Sequence, residues 1–376
     1  MRPLSWLRVF APAIVLMFLG AVSAAPARAQ FLSGGQTPET RPFTIVKLDP
    51  ALDAVIDSGA KAELLGDRFG LTEGAVWIQD GAAGYLLFAD MLDNVIYKWE
   101  PGKGISVHIE NAGYTGTDFL NVGQQTRRGR SAALLIGPNG LTLDPQGRLV
   151  VCAMPDRRVV RYEKDGTRTV VADTFEGKRF SGPNDLVVKS NGSVYFTDSV
   201  SGLRGAGASP QRELPFNGFY LVKNGQVTLL DPKLRDPQVA GNTFPNGIAL
   251  SPDERHLYVT FGRKIMKYDI NADDTVSNPV EFADVQGNDG MKTDAAGNVY
   301  STSGAGPGEV RITAPDGTRL GLLQLPQRGG EPRQQVCATN LAFGDADLRT
   351  LYVTACMDVY RIRLKATGTR PGQRAK

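Results

Sequence analysis

Histidine is nearly absent from this chain, with two residues in 376, and cysteine supplies only three. With His108 and His256 alone, a triad that needs an imidazole base has little to draw on, and no G-x-S-x-G elbow occurs. A zinc site of thiolates and imidazoles is short of donors for the same reason. Charge of one sign is also lacking: 42 Lys and Arg face 39 Asp and Glu, and Arg2, Arg8 and Arg28 lie in the N-terminal leader. That leaves no basic footprint for nucleic acid or a membrane surface. Beyond Gln30 no apolar run could span a bilayer, and no amphipathic helical period interrupts the chain.

The leader itself is distinctive. Arg2 and Arg8 precede an apolar run from Val9 to Val22, and Ala27-Arg28-Ala29 offers a cleavage site before Gln30. Residues 1–29 read as a secretory signal peptide, so the mature chain is expected in the periplasm or outside the cell. Residues 30–41 read as a flexible lead-in and 366–376 as a disordered basic tail. In an oxidising compartment Cys337 and Cys356 could face each other across the last hairpin as a disulfide. Cys152 reads as a packing residue.

The span 42–365 is filled by a repeat. Gly287 to Thr302, GNDGMKTDAAGNVYST, sets the pattern: an Asx-Gly turn, a short strand, a tight turn and a β run. Glu73-Gly74, Pro138-Asn139-Gly140, Pro183-Asn184-Asp185, Pro245-Asn246-Gly247 and Thr339-Asn340-Leu341 head the other copies. The copies stand about 40 to 65 residues apart, a period of propellers and solenoids. Further β runs follow each hairpin, such as Val95 to Trp99 and Ile265 to Tyr268. Four strands per unit predict an all-β fold, a six-bladed β-propeller. The last copy is one strand short after Leu364, so the N-terminal segment Lys61–Leu65 is expected to complete that blade, closing the ring and hiding two sheet edges.

In a propeller the innermost strands line the axis, so the residues that open them converge at one mouth. Here they are Glu73, Asn139, Asn184, Asn246, Asp289 and Asn340, every one oxygen-bearing. Asn and Asp before Gly are ordinary turn formers, which covers several of the six but not Glu73. Two carboxylates with amide oxygens, and no nitrogen or sulfur, suit one hard divalent cation. Calcium fits best, magnesium or manganese could take the same ring, and zinc is less favoured.

The motifs Glu-Gly-x-Val-Trp at 73–77, Pro-Asn-Asp at 183–185, Pro-Asn-Gly at 245–247 and Asp-Gly-Met-Lys-x-Asp at 289–294 resemble the gluconolactonase/SMP-30/regucalcin family. So does the stretch from Asn139 to Leu149, and the likeness runs in order from about residue 42 to 365. The resemblance implies a lactonase that opens a sugar lactone to the aldonic acid with one axial divalent ion. It assigns Glu73, Asn246 and Asp289 as metal ligands, Asn184 as a further ligand or substrate contact, and Asp289 as the proton acceptor. Asn139 and Asp198 are the candidates for the substrate side.

Two stretches depart from the family's bacterial pattern. Where an acid and a histidine usually follow the second hairpin, this chain has Ala153-Met154-Pro155-Asp156, and a usual Pro-Pro-Tyr is replaced by Ser199-Val200-Ser201. The expected partner is therefore a small-molecule lactone of unspecified kind, bound by a monomer or weak dimer. Two alternatives remain open: a non-catalytic calcium-binding propeller acting as an interaction module, and a phosphotriesterase-like hydrolase on the same scaffold.

Overall fold

The computed structural model describes residues 38–127, 131–236, 244–284, 288–304, 306–326 and 337–374. The proposed signal peptide, most of the lead-in and Gly287 lie outside them. Among the described residues, six antiparallel sheets follow one another along the chain as the six blades of a β-propeller. Their innermost strands are Thr72–Asp80, Leu141–Leu143, Pro183–Val188, Pro245–Leu250, Met291–Thr293 and Asn340–Gly344. Consecutive innermost strands touch, and the sixth touches the first, so the ring closes.

The packing explains why the β runs read as continuous apolar stretches rather than alternating ones. Each sheet is buried on both faces. Along Val194–Asp198, Val194 and Phe196 enter the cluster shared with the second blade, while Tyr195 between them enters the one shared with the fourth. Val150 and Cys152 face the third blade, and Val151 and Ala153 face the first. The core is thus a set of wedges between blades, one joining the last blade to the first through Trp77 stacked on Tyr352 at 5.2 Å.

A repeated threonine holds the inner ends together. Thr197 Oγ1 donates to the Asn246 carbonyl of the next blade (2.7 Å), and Thr302 Oγ1 does the same to Thr339 (2.7 Å). Thr339 Oγ1 donates to the Thr72 carbonyl, 2.7 Å away, across the closing joint. Cys152 takes this slot in the second blade, fully buried, and burial pushes its thiol up.

The N-terminal segment serves two blades. Ala62–Gly66 lies antiparallel beside Asp358–Arg363 in the sixth blade, with Glu39–Arg41 outside it, and Thr44–Lys47 adds a fifth strand to the fifth blade. The described end of the lead-in is therefore a strand. Cys337 and Cys356 form a disulfide with Cα atoms 5.4 Å apart.

The tail is also a correction. Residues 366–374 run across the axis at the end of the ring where the innermost strands finish. The Ala295 amide donates to the Thr367 carbonyl (2.7 Å), the Gly368 amide to Leu348 (2.8 Å), and Thr369 Oγ1 to Thr293 (3.1 Å). Pro371 and Gly372 reach the second blade, over a cavity of about 70 Å³. A basic composition suggested fraying, but small residues such as Gly368, seated on Phe343, let the backbone lie flat on the ring.

One buried carboxylate ties the third blade to the fourth. Asp274 accepts from Lys189 (2.5 Å), Lys223 (2.6 Å), Ser193 and Asn191, while the Tyr195 hydroxyl donates to its carbonyl. Burial opposes the charge, but these donors outweigh it and hold the carboxyl well below the usual carboxylate range. The folded state therefore binds this proton less readily than the unfolded one. Its contribution is full above the usual carboxylate pKa and is lost as pH falls through the folded value. Asp274→Asn is expected to cost roughly 2–4 kcal/mol, discounted for the exposure of Lys223. Thermal melts from pH 3 to 7 should show the gap between native and variant narrowing in acid.

Candidate functional site

The opening residues of three innermost strands sit at β-bulges, where pairing shifts between Glu73 and Ala75, Pro183 and Leu186, and Pro245 and Ile248. A bulge re-aims side chains out of the alternating pattern. The next residue must then pass close to the neighbouring blade. A Cβ on Gly74, at φ +36°, would lie 2.0 Å from the Asn139 carbonyl oxygen, and one on Gly247 2.0 Å from that of Asp289. Glycine is required there.

Six side chains meet around the axis. Glu73 Oε2 lies 3.4 Å from Asn340 Nδ2, and Lys292 Nζ lies 3.3 Å from Asn340 Oδ1. The Asn246 side chain hydrogen-bonds Asp289. Asp185 is buried, its Oδ1 accepting from the Leu186 amide (2.9 Å) and its Oδ2 without a hydrogen-bond partner. Glu73 is raised well above the usual range by burial, then by the charges of Asp289 and Asp185. Burial and Asp185 push Asp289 up to about 7 against the opposing Asn246 hydrogen bond. Asp185 is raised by burial, an effect that the Lys292 ammonium partly offsets.

Three carboxylates thus oppose one another's charge, and one of them, Asp185, is offset by the Lys292 ammonium. A cation of charge two would complete the balance. Among the described residues no three Asp, Glu, His or Cys side chains are grouped so as to hold an ion by themselves. An ion held here would need amide oxygens as well, and Asn139 Oδ1 is buried without a partner. The donor set is all oxygen, as a hard divalent ion requires. Glu73, Asn246 and Asp289 are the residues that could hold it.

The other expected residues divide. Asn139 is 3% exposed, its Nδ2 resting 3.8 Å from Met154 Sδ. Asn184 is buried at the third-blade bulge, and its carbonyl accepts from the Gly140 amide (2.8 Å). Asp198 is not at the axis. It is fully buried, with its oxygens taken by the Ser181 (3.0 Å) and Gly182 (2.7 Å) amides, and burial pushes it up to about 7. Asp90 does the same for Gly70 and Leu71 in the first blade. The carboxylate is a clamp for the turn entering an innermost strand, a role that no spacing distinguishes from a substrate contact.

Asn340 is a correction of register. Asn340 pairs with Thr354 and Leu341 with Val353, as Leu186 pairs with Phe196 beside Thr197, so Asn340 and Asp185 are equivalent and Thr339 opens the sixth blade. Asn340 and Asp185 thus stand where other blades carry Gly74, Gly140, Gly247 and Gly290. That substitution was the available signal for Asp185. Lys292 shows itself likewise, because Val76, Thr142, Val187, Ala249 and Ala342 hold its place elsewhere. Neither histidine takes part: His108 lies in the outermost strand of the first blade against Tyr85, and His256 Nδ1 is 2.9 Å from Asp269.

The sequence profile of the SMP-30/Gluconolactonase/LRE-like region matches residues 71–357. The chain belongs to this family. A gluconolactonase from Zymomonas mobilis is 33% identical over 341 residues, which cover 86% of this chain and 87% of that one. The structure of a gluconolactonase from Xanthomonas campestris shares the fold at a TM-score of 0.69 and 23% identity, covering 89% and 99% of the two chains. A calcium-binding regucalcin from Agrobacterium tumefaciens superposes at 0.58 with 18% identity, again over 89% and 99%. The last two likenesses establish fold. Within the family frame, Asp198→Ala would leave two buried amides without acceptors, costing about 1–3 kcal/mol each. Its melting temperature should drop by several degrees while KM on any turned-over lactone stays within about twofold.

Proposed function

We propose that the protein is a metal-assisted lactonase that opens a sugar lactone to its aldonic acid. The observation that carries this reading is the gathering of Glu73, Asp185 and Asp289 beside a single lysine, with Asn246 and Asn139 oxygens at hand. Kinship with the Zymomonas gluconolactonase supports it. A bound divalent cation, calcium best by donor type, supplies Lewis-acid polarisation of the lactone carbonyl. Asp289, only half-buried, is the base that takes the proton of the attacking water. That proton then passes to the ring oxygen as the ester bond breaks, leaving a hydroxyl and a carboxylic acid, which releases the second proton of the water to solvent. Asn246 orients Asp289 through their hydrogen bond, and Lys292 keeps Asp185 from destabilising the pair. No covalent nucleophile is needed, because a lactone is activated relative to an amide.

Export is part of the proposal. The leader supports it, and the disulfide suits an oxidising compartment.

Acid release from glucono-δ-lactone by the mature chain, followed with a pH indicator, tests the reading. Turnover should be abolished by a chelator and restored by calcium. Glu73→Gln and Asp289→Asn should each lower kcat/KM by about 10²-fold or more. Turnover indifferent to chelator would remove the metal mechanism. Calcium binding with a raised melting temperature, but no turnover on any lactone, would favour a non-catalytic interaction module.

A further inference from the structure

The two departures from the family pattern and the long connection after the first blade meet in one place. The turn Ala153–Arg157 joins the second and third strands of the second blade, so it stands at the same end of the ring as Asn139. The 111–124 segment closes over it. Thr115 donates through its amide and hydroxyl to Asp156 (3.0 and 2.9 Å), the Gly123 amide donates to Gly202 (3.0 Å), and the Arg204 amide to Asn121 (3.2 Å). Beneath this roof is a pocket of about 320 Å³.

Three arginines line it, Arg157, Arg158 and Arg179, beside Tyr114, Asn121 and Gln211. Arg157 is spoken for: it donates to the Phe180 carbonyl and pairs with Glu213 at 3.2 Å. The guanidinium groups of Arg158 and Arg179 have no carboxylate partner among the described residues; that of Arg179 donates to the Asp156 carbonyl (3.2 Å), while its backbone amide donates to Glu213 (2.8 Å). The two acids in the wall do not neutralise them. Asp156 is satisfied by Thr115 and by Arg168 at 3.1 Å, and Asp118 accepts from Leu120 and Asn121 within its own turn. Burial and the neighbouring Arg179 hold the Arg157 guanidinium below its ordinary value, as expected of crowded cations.

The pocket lies beside the axial site at the same end of the ring. Met154 Sδ touches Asn139 Nδ2, and Pro155 next to it is pocket wall. Gly202, also wall, packs so tightly on Gly182 that a Cβ on Gly182 would lie 2.7 Å from Gly202 Cα, just ahead of Asn184.

We propose that this pocket receives an oxyanion carried by the substrate at the end remote from the lactone, bound by Arg158 and Arg179. This deepens the lactonase reading and rests on it. Planar guanidinium forks are the groups that match carboxylate or phosphate oxygens in pairs. The substrate class is therefore an acidic sugar lactone rather than a neutral one.

Initial rates on glucono-δ-lactone, its 6-phosphate and glucarolactone separate neutral, phosphate and carboxylate substrates. The native chain should favour at least one charged lactone by about tenfold or more in kcat/KM. The double variant Arg158→Gln/Arg179→Gln should collapse that ratio by about tenfold, mainly through KM, and Lys at both positions should restore part of it. Equal kcat/KM for charged and neutral lactones in the native chain, or an unchanged ratio in the double variant, overturns the proposal. Calorimetry with 6-phosphogluconate as probe keeps it decidable if no lactone is turned over. Binding weakened in the double variant would then uphold the pocket while the lactonase reading falls. No binding, or binding that the variant leaves equal, removes the pocket as well.

Discussion

The joint between the last blade and the first is the contact on which the rest depends. Every blade buries both faces, so a ring that failed to close would leave two apolar faces in water. Closure here is polar and apolar at once. Thr339 hydrogen-bonds the Thr72 carbonyl, Trp77 stacks on Tyr352, and the Thr72 amide and hydroxyl both reach the Cys356 carbonyl. The disulfide anchors Cys356 on the same side.

The site is built from the same joint. Glu73 belongs to the first blade and Asn340 to the last, yet their side chains lie 3.4 Å apart. What the ring does for the fold it also does for chemistry, since it forces like charges together that an open chain would keep apart. The carboxylates are pushed up because packing strips them of most of their water and sets them against one another. Bulges, glycines and threonines recur at most of the inner ends, so the scaffold remains regular while the side chain that points inward varies.

Much of this was legible in the chain itself. Oxygen-bearing turn residues before short apolar runs, repeated six times and followed by glycine in four of the copies, lead to the propeller, because both hairpin chemistry and two-sided burial leave marks in sequence. Glu73 stood out because a glutamate has no turn preference. Asp198, a candidate for the substrate side, accepts from the Ser181 and Gly182 amides, and an acid after a β run looks the same in sequence whether it clamps a turn or faces a ligand. The register of the last blade slipped by one residue because Asn340 mimics an opening asparagine, and only the strand pairing, Leu341 opposite Val353 as Leu186 is opposite Phe196, tells the two positions apart.

The order of residues by itself determined the class of fold, the number of blades and the oxygen character of the axis, because local turns and burial periodicity are near-neighbour properties. Tertiary structure alone decided that Asp185 and Lys292 join the axial group, that residues 366–374 cross the end of the ring, and that Arg157, Arg158 and Arg179 share a pocket with a loop from the first blade. Each of these depends on which side chains closure brings face to face. Contacts between segments far apart in the chain are set by how the blades twist and stack, and no local pattern encodes that.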